Sequence, residues 1–176
     1  MKKNIVALVV VALVASFSLF AVADANLNLS THISGINYMA LTATELTTST
    51  VDAYDTAAGT IVGSKEITSA TATGTIAYLS ILSNNRKGFE VAISATPLAS
   101  STDGNSYKIN YVVHAGTASF DTSANATNTS NKLTGGVIAG LKAYSFPVSV
   151  AVNGTEYAAA LEDTYRATVT FAYTAK

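Results

Sequence analysis

Hydrophobic residues recur at every second position over much of the chain, the mark of β-strands that bury one face. Leu27, Leu29 and Ile33 alternate with Asn28, Ser30 and His32. Phe89, Val91, Ile93 and Ala95 alternate with Glu90, Ala92 and Ser94. Tyr107, Ile109, Tyr111 and Val113 are separated by Lys108, Asn110 and Val112, and His114 follows. Tyr144, Phe146, Val148, Val150 and Val152 form another such series, with Ser145, Pro147, Ser149 and Ala151 between them. The last series is Tyr165, Ala167, Val169, Phe171 and Tyr173, interleaved with Arg166, Thr168 and Thr170. Between Gly74 and Leu82 the apolar residues are denser, which predicts a central strand.

The punctuation between these runs is that of β-structure. Residues 83–88 (SNNRKG) read as a hairpin connection, with Asn and Gly suited to positive φ. Residues 100–106 and the Asn153-Gly154 pair read as turns, and residues 119–132, rich in Asn, Thr, Ser and Ala, as a long surface loop. Pro147 occupies an outward position, which places its strand near a sheet edge. Gly135, Gly136 and Gly140 limit residues 133–142 to a turn of helix at most. No internal repeat and no amphipathic helix stands out. The pattern predicts an all-β fold: an immunoglobulin-like antiparallel β-sandwich of about seven strands.

Residues 1–23 read as a signal peptide. Lys2 and Lys3 precede an apolar run that is broken only by Ser16 and Ser18, and Ala21-Val22-Ala23 supplies a small-x-small cleavage site. Ala23-Asp24-Ala25 is a second such site, two residues on. A membrane anchor of this length lacks its positive stop-transfer flank here, so no integral anchor is expected after cleavage. Residues 24–176 are then a single exported domain with 8 basic and 11 acidic residues. With 30 Ala, 24 Thr and 18 Ser in the full chain and only 12% charged residues, the composition suits strands and turns. The charge balance gives no basic footprint for nucleic acid. The lack of Cys excludes disulfides, zinc thiolates and a cysteine nucleophile.

Candidate chemistry is sparse. His32 and His114 fall on outward positions of their runs, without the further ligands that a metal centre requires. Glu162-Asp163 is the one adjacent acidic pair, and in a turn two neighbours do not face one substrate as glycosidase carboxylates must. Asp52 and Asp55 lack the regular oxygen ligands of a calcium loop. The glycine-rich run 135–140 lacks the Lys-Ser/Thr pair of a phosphate loop. Four Asn-x-Ser/Thr sequons begin at Asn28, Asn125, Asn128 and Asn153, as expected by chance in such a composition. Nine tyrosines offer rings for a sugar platform, but Tyr107, Tyr111, Tyr144, Tyr165 and Tyr173 all lie in apolar registers. No catalytic, cofactor or metal site is expected, and the chain does not read as an enzyme.

Two stretches carry a family resemblance. Residues 87–98 (KGFEVAISATPL) resemble the strand and following Pro segment of major pilins of alpha-class chaperone–usher fimbriae, the colonisation-factor type. Residues 163–174 (DTYRATVTFAYT) resemble their last strand, and residues 26–33 sit where that family has its N-terminal extension. The resemblance implies an incomplete sandwich that is completed by the extension of the next subunit, in donor-strand complementation. Residues 24–33 would be the donor strand, with Leu27, Leu29, Thr31 and Ile33 filling the groove. The two Leu and one Ile contribute roughly 5–9 kcal/mol at about 1.5–3 kcal/mol each, comparable to the roughly 5–15 kcal/mol that stabilises a whole domain. The partners implied are further copies in a homopolymer, a periplasmic chaperone, an outer-membrane usher and a host or surface ligand. The location implied is an extracellular fimbria, reached through the periplasm. The alternative reading is a self-contained secreted or periplasmic binding module for carbohydrate or protein, with its first strand in cis and its loops 100–106 and 119–132 presenting the ligand surface.

Overall fold

The computed structural model describes residues 29–58, 65–67, 74–102 and 104–176. The leader at 1–23 and Leu27 lie outside the described residues. Two compact units are present, residues 1–33 and residues 34–176. In the first, the described residues 29–33 are irregular. Among the described residues, no helix is long and apolar enough to cross a membrane.

The second unit is an all-β, antiparallel sandwich. Its larger sheet holds β1 (Asn37–Thr42), β2 (Thr75–Ser83), β9 (Lys142–Val152), β6 (Tyr111–Ala115) and β7 (Ala118–Asp121), in that spatial order. Directly opposed residues share a face, so the registers Met39↔Ile81↔Tyr144 and Leu41↔Leu79↔Phe146 define the inner side. Val148, Val150 and Val152, opposite Ala115, Val113 and Tyr111, continue it. The outer side between β1 and β9 is covered by a helix, α1 (Val51–Ala58). Its Tyr54 is buried, and the phenol donates to the Ile81 carbonyl at 3.1 Å. Beneath lie small residues, with Ser80 Oγ bridging Thr42 Oγ1 at 3.0 Å and Ser145 Oγ at 3.4 Å. The dense 74–82 pattern is thus an interior strand, as expected, and the structure buries most of it on both faces.

The facing layer has two short sheets along one line. The order β11 (Val169–Ala175), β3 (Phe89–Ala95), β8 (Lys132–Gly135) is followed by β10 (Tyr165–Arg166), β4 (Leu98–Ser100), β5 (Lys108–Ile109). The break at Thr96-Pro97 is bridged by Thr96 N–H to Thr168 O at 3.0 Å. Phe89, Val91 and Ile93 are buried against Leu79, Ile81 and Val113 in one core shared by both layers. Counted without such breaks, the eleven strands among the described residues form eight runs.

Several expectations are corrected. Residues 83–88 are an arch between the two layers rather than a hairpin, because β2 and β3 pair with different neighbours. Pro147 lies in the middle strand of the five, not near an edge. Its carbonyl accepts from Gly116 N–H where β6 has already turned away, so no neighbouring strand residue lacks a partner on its account. The 107–113 series changes sheets at Asn110, whose backbone and side-chain N–H groups both donate to the Glu156 carboxylate. Residues 119–132 are no continuous loop, since β7 and β8 occupy their ends. Two short helices among the described residues lie outside the period-two pattern: α1, which carries Asp52 and Asp55, and α2 (Gly154–Ala159). Asn153 is the N-cap of α2, accepting from Thr155 N–H and Glu156 N–H.

The glycine-rich run has a packing role. A Cβ on Gly135 would stand 2.2 Å from Phe89 Cε1, and one on Gly88 (φ +87°) 2.2 Å from Gly135 O. These two glycines let β8 and the arch close on the Phe89 ring.

Candidate functional site

The two long sides of the sandwich differ. On one, the residues that lead into β8 are tied to β7 and β3: Ser119 N–H donates to Ser130 O and Ile93 N–H to Asn131 O. Asn128 folds the intervening loop back by accepting from Asp121 N–H and donating to Asp121 O. On the other, β1 and β11 are each the last strand of their sheet among the described residues.

The alternation of β11 places Val169, Phe171 and Tyr173 inward, opposite Ala95, Ile93 and Val91. All three remain half-buried, as do Met39 and Leu41 of β1. The backbone follows the same parity. Thr96 N–H bonds Thr168 O and Lys176 N–H bonds Gly88 O, so the even positions of this stretch face β3. The N–H and C=O groups of Val169, Phe171, Tyr173 and Ala175 therefore point to the free edge. Seven residues of strand thus offer both unpaired backbone groups and partly covered apolar side chains.

One end of this side is tied by neutral polar groups. Asn37 Oδ1 accepts from Tyr173 OH at 2.7 Å and from Ser83 Oγ at 2.8 Å. Asn84 holds the entry to β1 through Ile36 N–H and Ser34 O, and Asn85 donates to Lys176 O at 3.0 Å. The start of β1 and the end of β11 are thus fixed at the same end. Behind Tyr173, the ring of Phe89 stacks at 5.7 Å and meets Tyr144 edge-on at 5.1 Å.

Of the residues expected to fill a groove, Leu29 is 85% and Ile33 78% exposed; Thr31 is also exposed. Residues 29–36 form no strand. His32 and His114 are exposed, and among the described residues no His, Asp and Glu cluster into a metal-binding group. Asp163, next to Glu162, is engaged within its own turn. Its carboxylate accepts from Ser100 Oγ, Thr102 Oγ1, Asn105 Nδ2 and its neighbour Thr164 N–H, which ties the 100–105 turn to β10. The Ser100 and Thr102 hydroxyls, foremost, hold this carboxyl down at about 2. Of the tyrosines in apolar registers, Tyr111 is buried, and Tyr107, Tyr144, Tyr165 and Tyr173 are half-buried with a face or edge in the core.

Reading by alternation passes over β1 and its Asn37. The run NYMALT is apolar at consecutive positions because α1 covers its outer side, so the period-two signal is lost. Its residual signal is parity: Asn37, Met39 and Leu41 share one face, with the polar residue at the start. No protein-family model, curated protein or solved structure matches the chain.

Proposed function

We propose that this chain is a structural subunit of an extracellular fimbria. It polymerises when residues 24–33 of one copy complete the immunoglobulin-like sandwich of the next, and the filament serves adhesion. The observation that carries this reading is the pairing of two incomplete features. The free edge of β11 has half-covered Val169, Phe171 and Tyr173 beneath it. The extension has alternating aliphatic residues, of which Leu29 and Ile33 are exposed. Exposed apolar side chains beside open backbone groups favour the addition of a strand. Export would use the leader at 1–23, and a periplasmic chaperone and an outer-membrane usher would deliver and order the copies. Deletion of residues 24–33 is expected to leave exported protein that forms no filaments. Filaments that persist after the deletion would overturn the reading.

A second reading, a self-contained binding module, is favoured by the ordering of the 100–105 turn on Asp163. A sharp monomer peak for the mature protein, stable at high concentration, would support it over the polymer.

A further inference from the structure

We propose that the end of the sandwich where β1 starts and β11 finishes docks on a membrane surface of anionic lipid headgroups. Four cationic side chains meet there. Lys142 opens β9 opposite Ser83, the last residue of β2. Arg86 and Lys87 follow in the arch, and Lys176 N–H is bonded to Gly88 O where the arch finishes. All four residues are exposed. Residues 24–176 hold eight Lys and Arg against eleven Asp and Glu, so half of the cations of an acidic segment stand at one end.

Their charge is not spent within the fold. Among the described residues the one ion pair joins Lys132 to Glu90, and of the four only Lys176 adds to the field on that carboxylate. Asp52 and Asp55 lie on α1, outside β1 and β9, and form no ion pair with them. Lys142 Nζ stands 4.9 Å from the centre of the Tyr144 ring, a contact that leaves its full charge. The support beneath is fixed. Asn85 Oδ1 accepts from Lys87 N–H at 3.1 Å, and Arg86 O accepts from Ile138 N–H at 3.4 Å, which holds the arch beside the 136–141 loop.

That loop supplies an apolar part. Ile138 is buried, so its neighbours Val137 and Ala139 turn outward, and Val137 is 83% exposed. Gly140, at φ +82°, then bends the chain into β9. An aliphatic tip thus stands beside Arg86 and Lys87, with Lys142 at its base.

A membrane surface fits both halves: headgroup phosphates attract the cations, and Val137 enters the layer below them. A sulfated polysaccharide would engage the charges and leave Val137 in water. A second copy fits poorly, because the opposite end mixes Lys108 and Arg166 with Glu156, Glu162 and Asp163. There the Glu156 and Asp163 carboxylates are already bonded, to Asn110 and to the 100–105 turn. Leu161, the other large apolar residue exposed in this unit among the described residues, precedes Glu162 and Asp163, which an anionic surface repels.

Docking of this kind needs one folded copy and no polymer, so its failure is separable from failure to form filaments. The test is sedimentation of the exported protein with vesicles of phosphatidylcholine, alone or mixed with phosphatidylglycerol. Binding is expected with the mixed vesicles only, and should fall steeply between about 0.1 M and about 0.5 M salt. Insertion through residues 24–33, which carry no Lys or Arg, would show with phosphatidylcholine alone and would overturn the proposal. At about fivefold per cation near the surface, Arg86→Ser with Lys87→Ser should weaken binding roughly twenty-five-fold. Val137→Ser should weaken it about tenfold, and Leu161→Ser should leave it unchanged. Lys65→Ser with Lys108→Ser removes the same charge elsewhere and should have little effect. All six positions are exposed, so melting temperatures should stay at the wild-type value. Equal losses in the two lysine and arginine pairs would overturn the assignment to this end, and full binding by Val137→Ser would overturn insertion. Retention on heparin beads that Arg86→Ser with Lys87→Ser abolishes, without binding to either vesicle, would overturn the lipid in favour of a sulfated polysaccharide.

Discussion

Gly135→Ala adds one methyl group where the structure has no room for it. The new Cβ would lie 2.2 Å from Phe89 Cε1 and 2.5 Å from both Cδ1 and Cζ, whereas carbon atoms rest about 3.5–4.0 Å apart. The ring must therefore retreat by more than about 1 Å. Phe89 is fully buried, with Tyr144 edge-on at 5.1 Å and Tyr173 stacked at 5.7 Å, so its retreat disturbs both partners. Overpacking costs about 1–3 kcal/mol, and each displaced aromatic pair about 0.5–1.5 kcal/mol. The expected loss is about 2–4 kcal/mol, a fall in melting temperature of roughly 5–12 °C for a domain of this size. Thermal and urea unfolding of the mature chain measure it, with Phe89→Leu as the second arm of a double-mutant cycle. Leucine withdraws the far edge of the ring, so Gly135→Ala in that background should cost less than about 1 kcal/mol. Equal losses in the two backgrounds would refute the argument that the ring dictates this glycine. Gly88→Ala is the control: its φ of +87° and the Gly135 carbonyl at 2.2 Å make it costly whatever stands at position 89.

Tyr111→Phe is expected to stabilise the domain by about 1–2 kcal/mol, since a buried hydroxyl without a partner carries its full desolvation cost. Tyr111 is 4% exposed, its OH has no hydrogen-bond partner among the described residues, and burial pushes the phenol up to about 12. A raised value means the unfolded chain ionises first, so wild-type stability should decline as pH rises from about 10 towards about 12, and Tyr111→Phe should flatten that decline. A lower urea midpoint for the variant at neutral pH would contradict this. Asp163 gives the opposite sign. Its carboxyl is depressed from 3.8 to about 2, so its contribution is present above pH 4 and disappears as pH falls through 2. Asp163→Asn should lower the urea midpoint at pH 6 and reduce its loss between pH 4 and pH 2; unchanged acid sensitivity would show that the 100–105 turn is held by other groups.

The faces of the strands were legible in the sequence, and their connections were not. Val91, Ile93, Val113, Val148, Val150, Phe171 and Tyr173 all point to the side that period-two alternation assigns them, because strand geometry imposes that period locally. The arch at 83–88 and the sheet change at Asn110 depend on which strand lies alongside, and that is a long-range choice. Pro147 misled for the same reason: whether a missing N–H matters depends on where β6 turns, and Gly116, 31 residues earlier, decides it. The tie of the glycine run to Phe89 follows only from the packing of β3 on β8. At the candidate site, β11 was legible through its alternation. Asn37 was not, since α1 and the strands it covers are far apart in sequence and jointly remove the polar half of the β1 pattern.

The two long sides of the sandwich also constrain one another. A free sheet edge is a liability that folded proteins blunt with charge, proline or a covering segment. The β7–β8 side uses a covering segment, the loop folded back by Asn128. Along positions 169–173 the β1–β11 side carries no charge and no proline, and no covering segment among the described residues. With 12% charged residues in the whole chain, general charge repulsion gives little protection either. Such an edge pairs with whatever strand it meets, so a lasting native state needs an occupant that arrives reliably and fits better than its competitors. A segment carried by every copy meets the first condition, and seven residues with the same alternation meet the second. Should the strand be added in trans, the domain that most needs covering is always the last one in the chain, and growth continues for the same physical reason that the single copy is unsatisfied.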